Sequence, residues 1–384
     1  MITRELSKTI PELSKGFPIV GLVGPRQAGK TTLAKSLFPN YDYINLEQLD
    51  LRQFASDDPR GFLKQHNKHV IFDEIQRVPE LFSYIQAKVD EDKIPAQFVL
   101  TGSQHFLMMQ SISQSLAGRI ALFTLYPLSY AELKSAKKNI DSVQGQILTG
   151  GYPRLYDGIT VREHWLNTYV QTYLDRDISL ISQIENLPVF EKFLQLIAGR
   201  TGQLLNYNTL SNDLGVAHNT IRSWINILEI SGIVLILPPF FTNINKRLVK
   251  SPKIYMVDTG LACRLLQISS TEQLQSHPLY GNLFETFVVT EYIKNILNMG
   301  KRPELYFYRD SAGLEADIVH QTEKDLKIVE IKSSQTVPQQ PFSTLKKVQK
   351  VLATPSSIEL VYGGNNQQKR SDGDILGWSE FLTE

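Results

Sequence analysis

Gly24-Pro25-Arg26-Gln27-Ala28-Gly29-Lys30-Thr31 is the stretch from which the fold of this chain is read. It follows the pattern Gly-x-x-x-x-Gly-Lys-Thr, whose glycines let backbone amides turn inward around an anion. The apolar run Phe17-Pro18-Ile19-Val20-Gly21-Leu22-Val23 before it reads as a buried strand, and residues Thr31 to Phe38 read as a helix opening on the loop. A helix N-terminus adds partial positive charge at that place. The implied ligand is a nucleoside triphosphate, cradled by Gly24, Pro25, Arg26, Gln27, Ala28, Gly29, Lys30, Thr31 and Thr32. Lys30 would reach the outer phosphates, and the Thr31 hydroxyl would ligate Mg²⁺.

Downstream, His69-Val70-Ile71-Phe72-Asp73-Glu74 is an apolar strand ending in two carboxylates, which sets them at the tip of a parallel sheet beside the loop. There Asp73 can hold Mg²⁺ through its water shell, and Glu74 can polarise an attacking water. A further strand, Ala96-Gln97-Phe98-Val99-Leu100-Thr101-Gly102-Ser103, offers Ser103 or Thr101 as a contact for the terminal phosphate or that water. Ser115-Leu116-Ala117-Gly118-Arg119 closes a helical stretch. Arg119 is a candidate finger for the developing phosphoryl charge, within the chain or across the interface of a homo-oligomer.

The 384 residues suffice for two or three domains, and 42% hydrophobic with 21% charged residues is ordinary for a globular protein. A net charge of +1 gives no global pull towards nucleic acid or an anionic membrane, so such binding must come from local patches. The one cysteine, Cys263, excludes an intrachain disulfide framework and a Cys-based zinc site. Met1 to Gly16 has no apolar signal core, and the longest apolar run, Ile233 to Leu237, is too short to span a bilayer. A cytoplasmic protein without a membrane partner is expected.

The middle of the chain changes pattern. Tyr207 to Gly215 reads as a short helix ending at glycine, Val216-Ala217-His218-Asn219 as a tight turn with Asn219 as N-cap, and Thr220 to Ser231 as a second helix. Its apolar face is Ile221, Trp224, Ile225 and Leu228. Two helices around a glycine-containing turn form a helix-turn-helix. Strands Ile233–Leu237 and Lys253–Val257 follow, with Lys246, Arg247, Lys250 and Lys253 as a basic wing. Such a winged helix would contact DNA or RNA through His218, Asn219, Thr220 and Arg222, or else act as a spacer or protein-docking module.

The last third carries another set of carboxylates. A helix contains Glu285, strand Leu314–Val319 contains Glu315 and Asp317, and strand Lys327–Lys332 contains Glu330 and Lys332. Residues two apart on a strand share a face, so Asp317 and Glu330 would form a hard-oxygen Mg²⁺ site if those faces meet. Glu285 would add a carboxylate, and Lys332 would position a water acidified by the metal.

The order of phosphate loop, Asp-Glu strand, Thr-Gly-Ser strand and Ser-Leu-Ala-Gly-Arg resembles the AAA-type ATPases. More narrowly, Tyr126-Pro127-Leu128-Ser129-Tyr130-Ala131-Glu132, Gly150-Gly151-Tyr152-Pro153 and Tyr173-Leu174-Asp175-Arg176-Asp177 are similar to bacterial and archaeal ATPases with a C-terminal domain of poorly known function. That resemblance implies a helical lid over the nucleotide and Arg154 as a sensor of the γ-phosphate. The C-terminal order resembles the PD-(D/E)XK nuclease superfamily, although Ala316 stands where the eponymous proline precedes Asp317.

The fold expected is α/β: an ATPase core with a parallel sheet over 1–125, a helical lid over 126–190, a winged helix over 191–260 and a nuclease-like domain over 261–384. The leading functional expectation is an ATP hydrolase whose nucleotide state controls a nucleic-acid-directed, Mg²⁺-dependent nuclease. The alternatives are an ATP-dependent switch or scaffold with an inactive nuclease fold, and a small-molecule kinase.

Overall fold

The computed structural model describes residues 2–103, 115–173, 187–240, 249–322 and 325–383. In its first third, five strands run parallel: β1 (Ile19–Gly24), β2 (Asp42–Asn45), β3 (Val70–Asp73), β4 (Phe98–Ser103) and β5 (Ile120–Thr124), ordered β2-β3-β4-β1-β5. All six residues of β1 are buried, as a central strand covered on both faces requires. Alternation divides them: Val20 and Leu22 pack with Leu6, Ile10 and Leu33, while Ile19 and Val23 pack with Phe62, Phe72 and Ile85. Each such side chain contributes about 1.5–3 kcal/mol when fully buried.

The helices of this layer are α1 (Leu6–Leu13), α2 (Lys30–Leu37), α3 (Leu49–Asp57), α4 (Pro59–Gln65) and α5 (Leu81–Asp92). Asp58 separates α3 from α4: its carboxylate accepts from Gly61 N at 2.9 Å, and Pro59 opens the next helix.

Beyond β5 come α6 (Tyr130–Ser135), α7 (Val143–Thr149), α8 (Arg162–Tyr173) and α9 (Leu187–Ala198). Ser129 and Glu132 close a capping box at the start of α6. Of the Tyr173–Asp177 motif, 174–177 lie outside the described residues. Next are β6 (Gln203–Leu204), α10 (Tyr207–Leu214), α11 (His218–Ile230), β7 (Val234–Leu237) and β8 (Lys253–Met256), whose strands form an antiparallel sheet ordered β6-β8-β7. Gly215 ends α10 at φ +67, where a side chain would be strained. Asn219 is not the N-cap: α11 already begins at His218, with Ala217 at that position, and Asn206 caps α10 instead.

The C-terminal third holds α12 (Thr259–Leu265), α13 (Thr271–Ser276), α14 (Tyr280–Asn298), β9 (Leu305–Arg309), β10 (Glu315–Gln321), β11 (Leu326–Lys332), α15 (Ser343–Leu352), β12 (Ser356–Tyr362), β13 (Gln368–Arg370), β14 (Gly373–Gly377) and α16 (Trp378–Phe381). Its mixed sheet is ordered β13-β14-β12-β11-β10-β9. The chain after β7 reaches this sheet, where Phe240 N donates to Phe307 O at 2.7 Å. One hydrophobic cluster joins Tyr130, Trp224, Phe284 and Trp378, so the helices after β5, the small sheet and the last third share a core. Among the described residues no helix is long and apolar enough to cross a membrane.

Candidate functional site

The phosphate loop leaves β1 through a backbone only glycine tolerates. Gly24 has φ +145, and a Cβ there would lie 2.1 Å from Leu125 O. Gly29, at φ +98, turns the chain into α2. Lys30 is buried, its Nζ donating to Gly24 O at 3.0 Å and Pro25 O at 2.8 Å. The Thr31 hydroxyl donates to Asp73 Oδ2 at 3.0 Å, across the junction of α2 and β3.

Asp73 is held from two more sides. The Tyr43 hydroxyl donates to Oδ2 at 2.6 Å, and the Thr101 hydroxyl donates to Oδ1. Thr101 therefore orients a carboxylate. Burial, followed by the neighbouring Asp73, pushes the Tyr43 phenol well above its usual range. Glu74 follows at φ +56, a left-handed conformation uncommon for a non-glycine residue, and accepts from Gln76 Nε2 at 2.5 Å. The Thr31 and Asp73 oxygens are hard donors in mutual contact, so this pair fits a small divalent cation.

These groups converge. A cavity of about 1040 Å³ is lined by Arg26, Gln27, Gly29, Lys30, Thr31, Thr32, Glu74 and Arg154, with Trp165 and Tyr169 also in its lining. Tyr152, next to the short helix carrying Arg154, is buried and bonds through its hydroxyl to Tyr169 at 2.8 Å. The Gly150-Gly151 turn is fixed by buried Asp258, whose Oδ2 accepts from Gly151 N at 2.7 Å. Pro25 abuts the turn between α11 and β7, where a Cβ on Gly232 would come within 2.9 Å of its Cδ.

Arg119 is not at this site. It precedes β5, where Ile19 N donates to its carbonyl, so it lies at the opposite end of the sheet from the phosphate loop. The five steps of β1 separate those ends by roughly 16 Å. Its guanidinium pairs instead with Asp90 on α5 at 2.6 and 2.8 Å. As a finger within the chain it is excluded. Ser103 ends β4, but its side chain is outside the described residues.

Two contributors escaped sequence reasoning: Tyr43, and Arg4, whose guanidinium donates to Ala28 O at 2.7 Å from outside the loop. The Arg4 partners lie 24 to 128 positions away, and no local pattern marks such contacts.

The C-terminal carboxylates are brought together only in part. Glu285 on α14 and Glu315 and Asp317 on β10 surround Lys253 Nζ at 2.8, 2.7 and 3.5 Å. Asp317 Oδ2 also accepts from Ile331 N at 2.8 Å, and Glu330 turns to Lys332 at 2.7 Å. Glu285, Asp317 and Glu330 as arranged do not fit a divalent cation, because the Lys253 ammonium sits against Glu285 and Asp317 while Glu330 is paired with Lys332. Among the described residues no His, Cys, Asp or Glu group of three can hold a metal. Lys332, expected to position a water, pairs with the Glu330 carboxylate. Three carboxylates around one ammonium leave excess negative charge. Burial first, then the Asp317 charge, push the Glu285 carboxyl up to about 7.

Lys253 is therefore no wing residue, being 3% exposed. Lys246 and Arg247 lie outside the described residues, and Lys250 is exposed. On α11, His218, Asn219 and Arg222 are exposed and Thr220 is half-buried.

Three family profiles match successive segments: an AAA domain over 16–134, a domain of unknown function (DUF8612) over 140–272, and another (DUF4143) over 280–381. Uncharacterised proteins of Mycobacterium bovis and Mycobacterium tuberculosis are each 31% identical over 306 residues, spanning 78% of this chain and 67% of theirs. Among solved structures, the Walker-type ATPase of Pyrococcus abyssi is similar at TM-score 0.45 and 16% identity, covering 69% of this chain and 96% of its own. The Thermotoga maritima RuvB Holliday junction branch migration motor is similar at TM-score 0.31 and 20% identity, covering 62% and 90%.

Proposed function

The chain belongs to the family of the two mycobacterial proteins and carries an AAA domain over 16–134, and on that premise we propose that it binds and hydrolyses ATP in the cavity beside the phosphate loop. The observation that carries this reading is the contact of Thr31 with Asp73, in a site also lined by Lys30 and Glu74. When bound there, Mg²⁺ would neutralise charge on the outer phosphates. The residues do the rest. Lys30 exchanges its two loop carbonyls for phosphate oxygens, and the loop amides hold the chain of phosphates. Glu74 orients the attacking water, and Arg154, which lines the same cavity, reads the terminal phosphate. Phosphate release from ATP in water, lost in Lys30→Ala, tests the reading. A requirement for a second acceptor would favour a kinase instead.

Lys253 favours the second half of the account. With its ammonium among the carboxylates, the C-terminal fold serves a switch or scaffold better than a metal-dependent nuclease. Nucleotide would act through Pro25 on the Gly232 turn, and so on α11 and β7. The exposed face of α11 is the proposed contact for DNA or RNA. Such binding should weaken with salt in proportion to the phosphates contacted. Salt-independent binding would assign the face to a protein.

A further inference from the structure

Arg4 lies behind the phosphate loop. Its Nη1 donates to Ala28 O at 2.7 Å, its Nη2 to Tyr126 O at 2.6 Å and its Nε to Glu132 Oε1 at 3.0 Å. The side chain is 9% exposed, and that of Glu132 is fully buried. Glu132 is itself pinned, accepting from Ser129 N at 2.9 Å and Glu5 N at 2.8 Å. The guanidinium thus sits in a rigid socket made by the start of α6 and the end of the first sheet.

A trans peptide is planar, with its C=O and N–H pointing opposite ways. Because Arg4 draws the Ala28 carbonyl outward, the N–H of Gly29 is turned to the other side of the loop, where Gly29 lines the cavity. The reverse orientation would aim a carbonyl dipole at the phosphates. Gly29 makes the flip inexpensive, since its φ of +98 and ψ of 20 suit glycine. An arginine is needed because three acceptors in different directions must be met by one planar fork, which an ammonium on a single stem does not match.

We propose that Arg4 is a positioning residue that presets the Ala28–Gly29 peptide for a nucleotide phosphate, anchored through Glu132. The inference rests on the nucleotide reading of the loop and adds to it a part played from outside the cavity.

The test is displacement of a fluorescent ADP analogue by Mg-ADP and by Mg-pyrophosphate, on the intact chain and on Arg4→Met, Arg4→Lys and Val348→Ala. Circular dichroism melting accompanies each. Val348 is a buried core residue of the last third, so its truncation controls for lost stability. Arg4→Met is expected to weaken both ligands by about tenfold or more and by the same factor, because the lost interaction is with phosphate. Arg4→Lys should fold and still lose about fivefold, retaining charge without the fork. Val348→Ala should melt lower with both affinities within about twofold, since distant sites act independently. Folded Arg4→Met or Arg4→Lys binding like the intact chain would overturn the proposal, as would Val348→Ala losing affinity to the same extent. Failure of the intact chain to bind either ligand would contradict the nucleotide reading instead.

Discussion

The ammonium of Lys253 lies 2.8 Å from Glu285 Oε1, joining a strand of the small antiparallel sheet to the first long helix of the C-terminal third. Both side chains are largely buried, so each depends on the other for compensation of its charge. The contact changes the meaning of the surrounding carboxylates from metal ligands to a joint between two parts of the chain.

Lys253→Met should therefore destabilise strongly. Removing one partner of a buried ion pair costs about 3–5 kcal/mol, through the charge left behind. Denaturant unfolding should show a lower midpoint than the intact chain. The exposed pair of Lys346 with Asp372, where Lys346→Met should barely move the midpoint, provides the contrast. Equal, small effects of both would show that Lys253 is not central to the joint.

The same cluster predicts a pH dependence of defined sign. The Glu285 carboxyl is raised from 4.5 to about 7, so across that interval the folded chain holds a proton the unfolded chain has released. Stability contributed by this group is then greatest towards pH 4.5 and falls as pH rises towards 7. Glu285→Gln removes the ionisation. The stability of the intact chain minus that of Glu285→Gln should decline over this interval, and a difference that rises would refute the assignment.

Glu74→Gln should separate binding from turnover. The amide keeps the size of the side chain but loses its capacity to accept a proton, a change worth about 10²–10⁴ in rate. Steady-state phosphate release should fall by that order, with ADP affinity retained. Parallel loss of both would make Glu74 a binding residue.

Arg119→Ala should leave turnover within about twofold, a surface substitution having little reach. The measurement is phosphate release over a range of protein concentrations. A large fall confined to high concentration would reveal a part played across a subunit interface.

The legible and illegible parts of this molecule divide by the range of the interactions. Ile19 to Leu37 could be read because strand, glycine turn and helix are set by neighbouring residues, and Val70–Asp73 because burial on both faces demands an apolar run. Glu74, expected from its place at the strand end, and Arg154, expected from family resemblance, both line the cavity. Arg4 and Lys253 were opaque for one physical reason. Their partners Glu132 and Asp317 are 128 and 64 positions distant, and only the folded chain brings them within hydrogen-bond range. Arg119 misled because a residue at a helix end resembles a finger in sequence, while the strand direction puts it at the wrong end of the sheet. Leu345, Val348 and Leu352 form the buried face of the helix Ser343–Leu352, at a spacing visible in the sequence.

The central claim is tested most directly by calorimetric titration of Mg-ATP into the intact chain and into Lys30→Ala. The account predicts saturable binding to one site in the intact chain and its loss in the folded variant. Absence of binding to the intact chain, or binding of equal strength to both, would contradict it.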